Sequence, residues 1–212
     1  MAGLVAIGMG SFLIAFSGAA SPGPVLTITL AESAKRGFKV GPLIVLGHAI
    51  LEVPVVIAVV VGIGTVLQGP VAVRILGVVG GAVLFWLAWQ TYRESSVPLQ
   101  THQWEENPQG CRDLPLKGIL TSLSNPYWFL WWATIGLAYL TIAIKKGWAG
   151  VASFYVGHIL ADLVWYSFIS GLVASGRKFL GTRSYAWLLM VCALVLFIFG
   201  LYFFYVGAKG RT

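Results

Sequence analysis

The sequence predicts an all-α membrane protein of about six transmembrane helices, arranged as two inverted three-helix repeats. Three observations carry this prediction. Hydrophobic residues make up 58% and charged residues 10% of the 212-residue chain, with a mean hydropathy of +0.85, whereas a soluble domain carries roughly 25% charged residues. Apolar runs long enough to cross a bilayer recur along the whole chain. The second and fifth of these runs, three positions apart in the order, carry the same polar pattern.

Each span needs about 20 apolar residues. The runs lie at Gly3 to Leu30, Leu43 to Leu67, Val71 to Tyr92, Gly118 to Ile144, Trp148 to Val173 and Tyr185 to Val206. They lack the period-two alternation of a barrel strand, and lipid offers no partner to unpaired backbone groups, so helices are expected. The first run resembles a secretory signal only in the small residues Gly18-Ala19-Ala20. No Lys or Arg precedes it and hydrophobicity resumes after Pro24, so it is read as a retained helix.

The charges between the runs orient them. One side receives Lys35, Arg36, Lys39, Arg93, Arg112, Lys117, Arg177, Lys178 and Arg183; the other receives Arg74, Lys145, Lys146, Lys209 and Arg211. The excess on the first side places the first, third and fifth loops in the cytoplasm of a cell (inner) membrane protein, with both termini outside. This predicts a first three-helix repeat over residues 1–92, a cytoplasmic loop over 93–117 and a second repeat over 118–212. The loop holds Glu94, Glu105, Glu106 and Asp113, together with His102, a solvated histidine that needs no function.

Several function classes are excluded on composition and motif. The net charge of +7 is spread over short loops rather than one face, so no nucleic-acid partner is expected. The two cysteines, Cys111 in the loop and Cys192 in the sixth run, form neither a disulfide framework nor a membrane redox pair. No G-x-x-x-x-G-K-[ST] loop points to ATP, and no H-E-x-x-H motif points to an intramembrane metalloenzyme. No enzyme activity, cofactor or resident metal is expected.

The repeated pattern is where chemistry enters. The second run contains Gly47-His48-Ala49-Ile50-Leu51-Glu52 and the fifth Gly157-His158-Ile159-Leu160-Ala161-Asp162, both G-H-x-x-x-acid, with the only histidines inside spans. Residues four apart share a helix face, so His48 with Glu52 and His158 with Asp162 each form one polar patch, which must turn away from lipid. The first run is interrupted by Ser21-Pro22-Gly23-Pro24 and its counterpart three spans later by Ser124-Asn125-Pro126. Proline frees backbone polar groups at each break, and matching breaks in the two halves point to a substrate site. A repeat of three spans reverses direction at each copy, so the halves are inverted and suit alternating access. By contrast, Gly77-x-x-x-Gly81 reads as a packing motif.

These residues resemble the LysE/RhtB family of bacterial and archaeal amino-acid exporters. Pro22-Gly23-Pro24, Gly37-x-x-x-Gly41, Gly47-His48 and Asn125-Pro126 carry the resemblance, in matching order over nearly the whole chain. It implies a six-helix inverted-repeat fold and ion-driven efflux of an amino acid or similar small metabolite. After Asn-Pro, better-known members usually carry Lys; here the stretch reads Tyr127-Trp128-Phe129-Leu130-Trp131-Trp132, aromatic surface in place of a cation. The third helix has Leu84-Phe85 where Tyr-Leu is common in the family.

The expected function is secondary export of amino acids or related small amino compounds, coupled to protons, with Pro22, Gly23, Pro24, His48, Glu52, Asn125, Pro126, His158 and Asp162 at the substrate and ion site. A buried carboxylate beside a histidine can take up and release a proton in the physiological range. The same two pairs are a credible divalent-cation set, which leaves a metal-ion exporter as the alternative. Interhelical hydrogen bonding that ties the halves together is the competing structural role. Glu32, one turn before Lys35-Arg36, is read as a partner of those charges or a cytoplasmic gate. Trp128, Trp131 and Trp132 follow the broken fourth helix, where membrane-belt or packing roles compete with lining the cavity. Lipid is an expected partner, and assembly with further copies of the chain is left open.

Overall fold

The computed structural model describes residues 2–62, 70–96, 111–176 and 181–209. His102, Glu105, Glu106, Arg177, Lys178 and the end of the second run lie outside these residues. Among them every regular element is a helix: α1 (Ala2–Ala19), α2 (Pro24–Arg36), α3 (Val40–Val60), α4 (Pro70–Ser95), α5 (Leu114–Leu123), α6 (Pro126–Trp131), a π-helical turn (Trp132–Gly136), α7 (Leu137–Ile144), α8 (Gly147–Gly176) and α9 (Thr182–Lys209).

Five stretches are long and apolar enough to cross a membrane: α1, α3, α8, α9 and the combined α6–α7 stretch from Tyr127 to Ile144. At most 44% of the apolar window of any of them is buried inside the protein. The outward side chains include Met9, Leu13, Ile57, Leu172 and Phe197, so this surface needs an apolar solvent. The 26-residue α4 has the length of a sixth span, about 39 Å. The protein is an all-α, multi-pass membrane protein.

Both proline-marked breaks are present, but neither divides its helix in the middle. The 18 residues of α1 extend about 27 Å, enough to span before Ser21-Pro22-Gly23-Pro24 turns the chain into the shorter α2. In the second half the order is reversed, with the 10-residue α5 before the break and the longer stretch after it. Pro24 and Pro126 each stand at the start of the helix that follows, where the missing N–H has no intrahelical partner to lose. The loop read as residues 93–117 is shorter at both ends, because α4 continues to Ser95 and α5 begins at Leu114.

Helix α4 packs on α9, α1 on α8, α5 on α3, and α3 meets α8. Exchanging α1 with α5, α3 with α8 and α4 with α9 leaves this set of contacts unchanged. Glycines permit the closest approaches. A Cβ on Gly47 would stand 1.9 Å from the carbonyl oxygen of Pro115 in α5, and one on Gly157 would stand 2.2 Å from that of Gly8 in α1. The glycine of each G-H-x-x-x-acid pattern therefore seats its helix against another backbone. The histidine that follows is thereby set at the centre of the bundle.

Candidate functional site

His48 and Glu52 of α3 and His158 and Asp162 of α8 converge where these two helices meet. All four are buried, Glu52 completely. Together with Asn125 at the second break they line one cavity, whose remaining wall comes from Ala15, Gly18 and Ala19 of α1, Val25 of α2, Tyr127, Trp128 and Trp131 of α6, and Tyr166 of α8.

Glu52 is the hub. Its Oε1 accepts the indole N–H of Trp128 at 2.9 Å and that of Trp132 at 2.8 Å. Nε2 of His48 lies 3.1 Å from Oε1, and Nε2 of His158 lies 3.1 Å from Oε1 and 3.0 Å from Oε2. The two indoles share a face because Trp128 and Trp132 are four residues apart. Asp162 is held differently. Its Oδ2 lies 3.5 Å from His48 Nε2 and 3.6 Å from His158 Nε2, and forms no hydrogen bond.

The imidazoles are oriented from behind. His48 Nδ1 is 2.7 Å from the Ser122 hydroxyl of α5, which fixes the ring plane. The His158 ring sits among Trp131, Trp132 and Phe154, with centroids 4.5, 5.8 and 6.2 Å away. Both Nε2 atoms therefore point at the two carboxylates. Two buried carboxylates require positive charge nearby. Protons on the imidazoles would supply it, and so would a cation, since donor atoms of His48, His158 and Asp162 all lie within 4.8 Å of one another.

Of the residues expected at the site, His48, Glu52, Asn125, His158 and Asp162 meet at the cavity. A Cβ on Gly23 would stand 3.8 Å from the side-chain amide nitrogen of Asn125, so the two breaks adjoin. Pro22 is exposed, Pro24 is buried, and neither lines the cavity; with Pro126 they shape the breaks. Asn125 caps α6 by accepting the Tyr127 backbone N–H at 3.1 Å. Ser122 and the indole donation of Trp128 and Trp132 are additions that sequence reading missed. The four-residue tryptophan spacing was the available signal, masked by the usual abundance of aromatics near membrane interfaces.

A second polar cluster closes one end of the bundle. Glu32 of α2, 1% exposed, accepts Lys117 Nζ at 2.7 Å and Lys35 Nζ at 3.2 Å, and pairs with Arg36 Nε at 2.9 Å. Lys117 reaches Asp113 at 3.0 Å, Arg36 also bonds Asp113 and Lys35 pairs with Glu94. Three acids and three bases from α2, the end of α4 and the start of α5 thus lock together. Glu32 is a partner of Lys35 and Arg36 as expected, but Lys117, read only as an orienting charge, completes its shell. Burial pushes the Asp113 carboxyl up, yet the Arg36 hydrogen bond and the Lys117 charge more than offset this and hold it down at about 2.

Paired helix breaks beside a buried polar centre in an all-α bundle are the arrangement of a transport protein. Similarity to known proteins gives the family. Residues 16–207 match the LysE type translocator family, and the chain belongs to it. It is also 28% identical over 163 residues, 76% of this chain and 71% of its relative, to the uncharacterized membrane protein YahN of Escherichia coli strain K12. No solved structure matches the chain significantly.

Proposed function

We propose that this protein is a secondary active exporter of amino acids or related small amino compounds, driven by protons across the cell (inner) membrane. The observation that supports this most is the meeting of His48, Glu52, His158 and Asp162 at one cavity bounded by the break at Asn125. Acids and imidazoles in one apolar enclosure can exchange protons against a charged cargo, because the site cannot hold unbalanced charge at low cost. Alternating access follows from two inverted halves, residues 1–92 and 118–212 about the 93–117 loop, a division consistent with the exchange-invariant packing of α1 on α8 and α5 on α3. In this account α3 and α8 present the site to each side in turn.

A divalent-cation exporter is the second reading, favoured by the spacing of His48, His158 and Asp162. Flux into proteoliposomes separates the two. Under an imposed pH gradient, radiolabelled amino acids and their amines should move faster than in protein-free liposomes, while zinc and manganese should not. Metal flux without organic flux would replace the first reading with the second.

A further inference from the structure

Resting on the exporter reading, we infer that the cargo of this site is a cationic amine without a carboxylate, its ammonium bound by Asp162 and its body against the aromatic wall. The first ground is charge. Among the described residues lining the cavity are two acids, Glu52 and Asp162, two imidazoles, His48 and His158, and no Lys or Arg. The buried lysines Lys35 of α2 and Lys117 of α5 are engaged by Glu32 in the separate ion cluster.

The second ground is which acid has capacity left. Glu52 Oε1 already receives two indole N–H groups, and Glu52 Oε2, which like Asp162 Oδ2 forms no hydrogen bond, faces His158 Nε2 at 3.0 Å, whereas no imidazole nitrogen comes closer than 3.5 Å to Asp162 Oδ2. Asp162 is 5% exposed, and its Oδ2 has no hydrogen bond. A buried acceptor in that state is costly unless a donor arrives. An ammonium brings both the donors and the charge.

The third ground is the wall. Bonding to Glu52 fixes Trp128, while Trp131, Tyr127 and Tyr166 add further rings to the lining, and ring faces attract a cation. A carboxylate on the cargo would face Glu52 and Asp162, whose charge His48 and His158 balance only when both imidazoles carry protons. With the imidazoles neutral, like-charge repulsion in that enclosure would weaken its binding by about tenfold or more.

Decarboxylation pairs test this directly: phenylalanine with phenethylamine, leucine with isoamylamine, and lysine with cadaverine. Binding to the purified full-length protein is measured by titration calorimetry at pH 7, with ligand-induced thermal stabilisation as a second readout. At least one amine should bind about tenfold or more tightly than its amino acid. Asp162→Asn should abolish that preference while its unfolding transition shows it to be folded. The inference is overturned if the amino acids bind as tightly as their amines, if no amine binds, or if Asp162→Asn leaves the preference intact. An amino acid that binds and is moved by the pH gradient removes this inference alone and leaves the exporter standing. If no organic compound binds or moves, both fall.

Discussion

Trp132 donates its indole N–H to Glu52 Oε1 at 2.8 Å, on the same oxygen that accepts the Trp128 indole at 2.9 Å. A carboxylate held by two indoles and flanked by two imidazoles is a fixed point of the bundle. Hydrogen bonds to a charged group are worth roughly 1.5–3 kcal/mol. Trp132→Phe keeps most of the ring volume and removes one donor, so it should lower the thermal unfolding temperature of the purified protein. Trp131→Phe, whose indole makes no bond to Glu52, should lower it less.

The glycines before the two histidines give a packing prediction. Gly47→Ala and Gly157→Ala each force a methyl group into a backbone carbonyl, 1.9 Å and 2.2 Å away before relaxation. Backbone cannot yield as a side-chain tip can, so each should cost about 1–3 kcal/mol. Gly176→Ala, with nothing within 4 Å of the added atom, is the control and should be near neutral. Equal unfolding temperatures for all three would show that the close approaches are not where the bundle is tight.

The ion cluster predicts a pH dependence. The Asp113 carboxyl is depressed from its ordinary 3.8 to about 2, so it stabilises the folded state above pH 3.8 and loses that contribution as pH falls toward 2. The unfolding temperature of Asp113→Asn should therefore lie below wild type at pH 6 and converge with it on acidification. Because the Asp113 side chain is 44% exposed, solvent screening keeps the effect modest. A gap that widens as pH falls would contradict the assignment.

What could be read from the sequence divides along physical lines. His48, Glu52, His158 and Asp162 stood out because an ionisable group inside an apolar run is costly, and because the same spacing occurred twice. The expectation that both patches share one cavity rested on that cost and agrees with the geometry. The partners of those groups were hidden. Ser122 is 74 positions from His48, and Lys117 is 85 from Glu32, so only the packing of α5 against α3 and α2 brings them together. Trp128 and Trp132 looked like interface aromatics because an indole in a membrane helix normally is one. The uneven position of the two breaks was legible, late in the first run at Ser21-Pro22-Gly23-Pro24 and early in the fourth at Ser124-Asn125-Pro126.

The central claim is that the buried acids couple cargo movement to protons, and flux through reconstituted liposomes tests it most directly. Wild type, Glu52→Gln and Asp162→Asn would be compared, each with an imposed pH gradient and at equal pH on both sides, using the radiolabelled amino compound that wild type moves and protein-free liposomes as the baseline. The substitutions keep side-chain shape and remove the titratable charge. Wild type should concentrate the compound in response to the gradient, and Asp162→Asn should lose this response by about tenfold or more. Glu52→Gln should also lose it, through the disturbed hub. If both variants still concentrated the compound under the gradient, the cluster would serve only to tie the helices together and proton coupling would have to reside elsewhere, with Glu32 the next acid to examine.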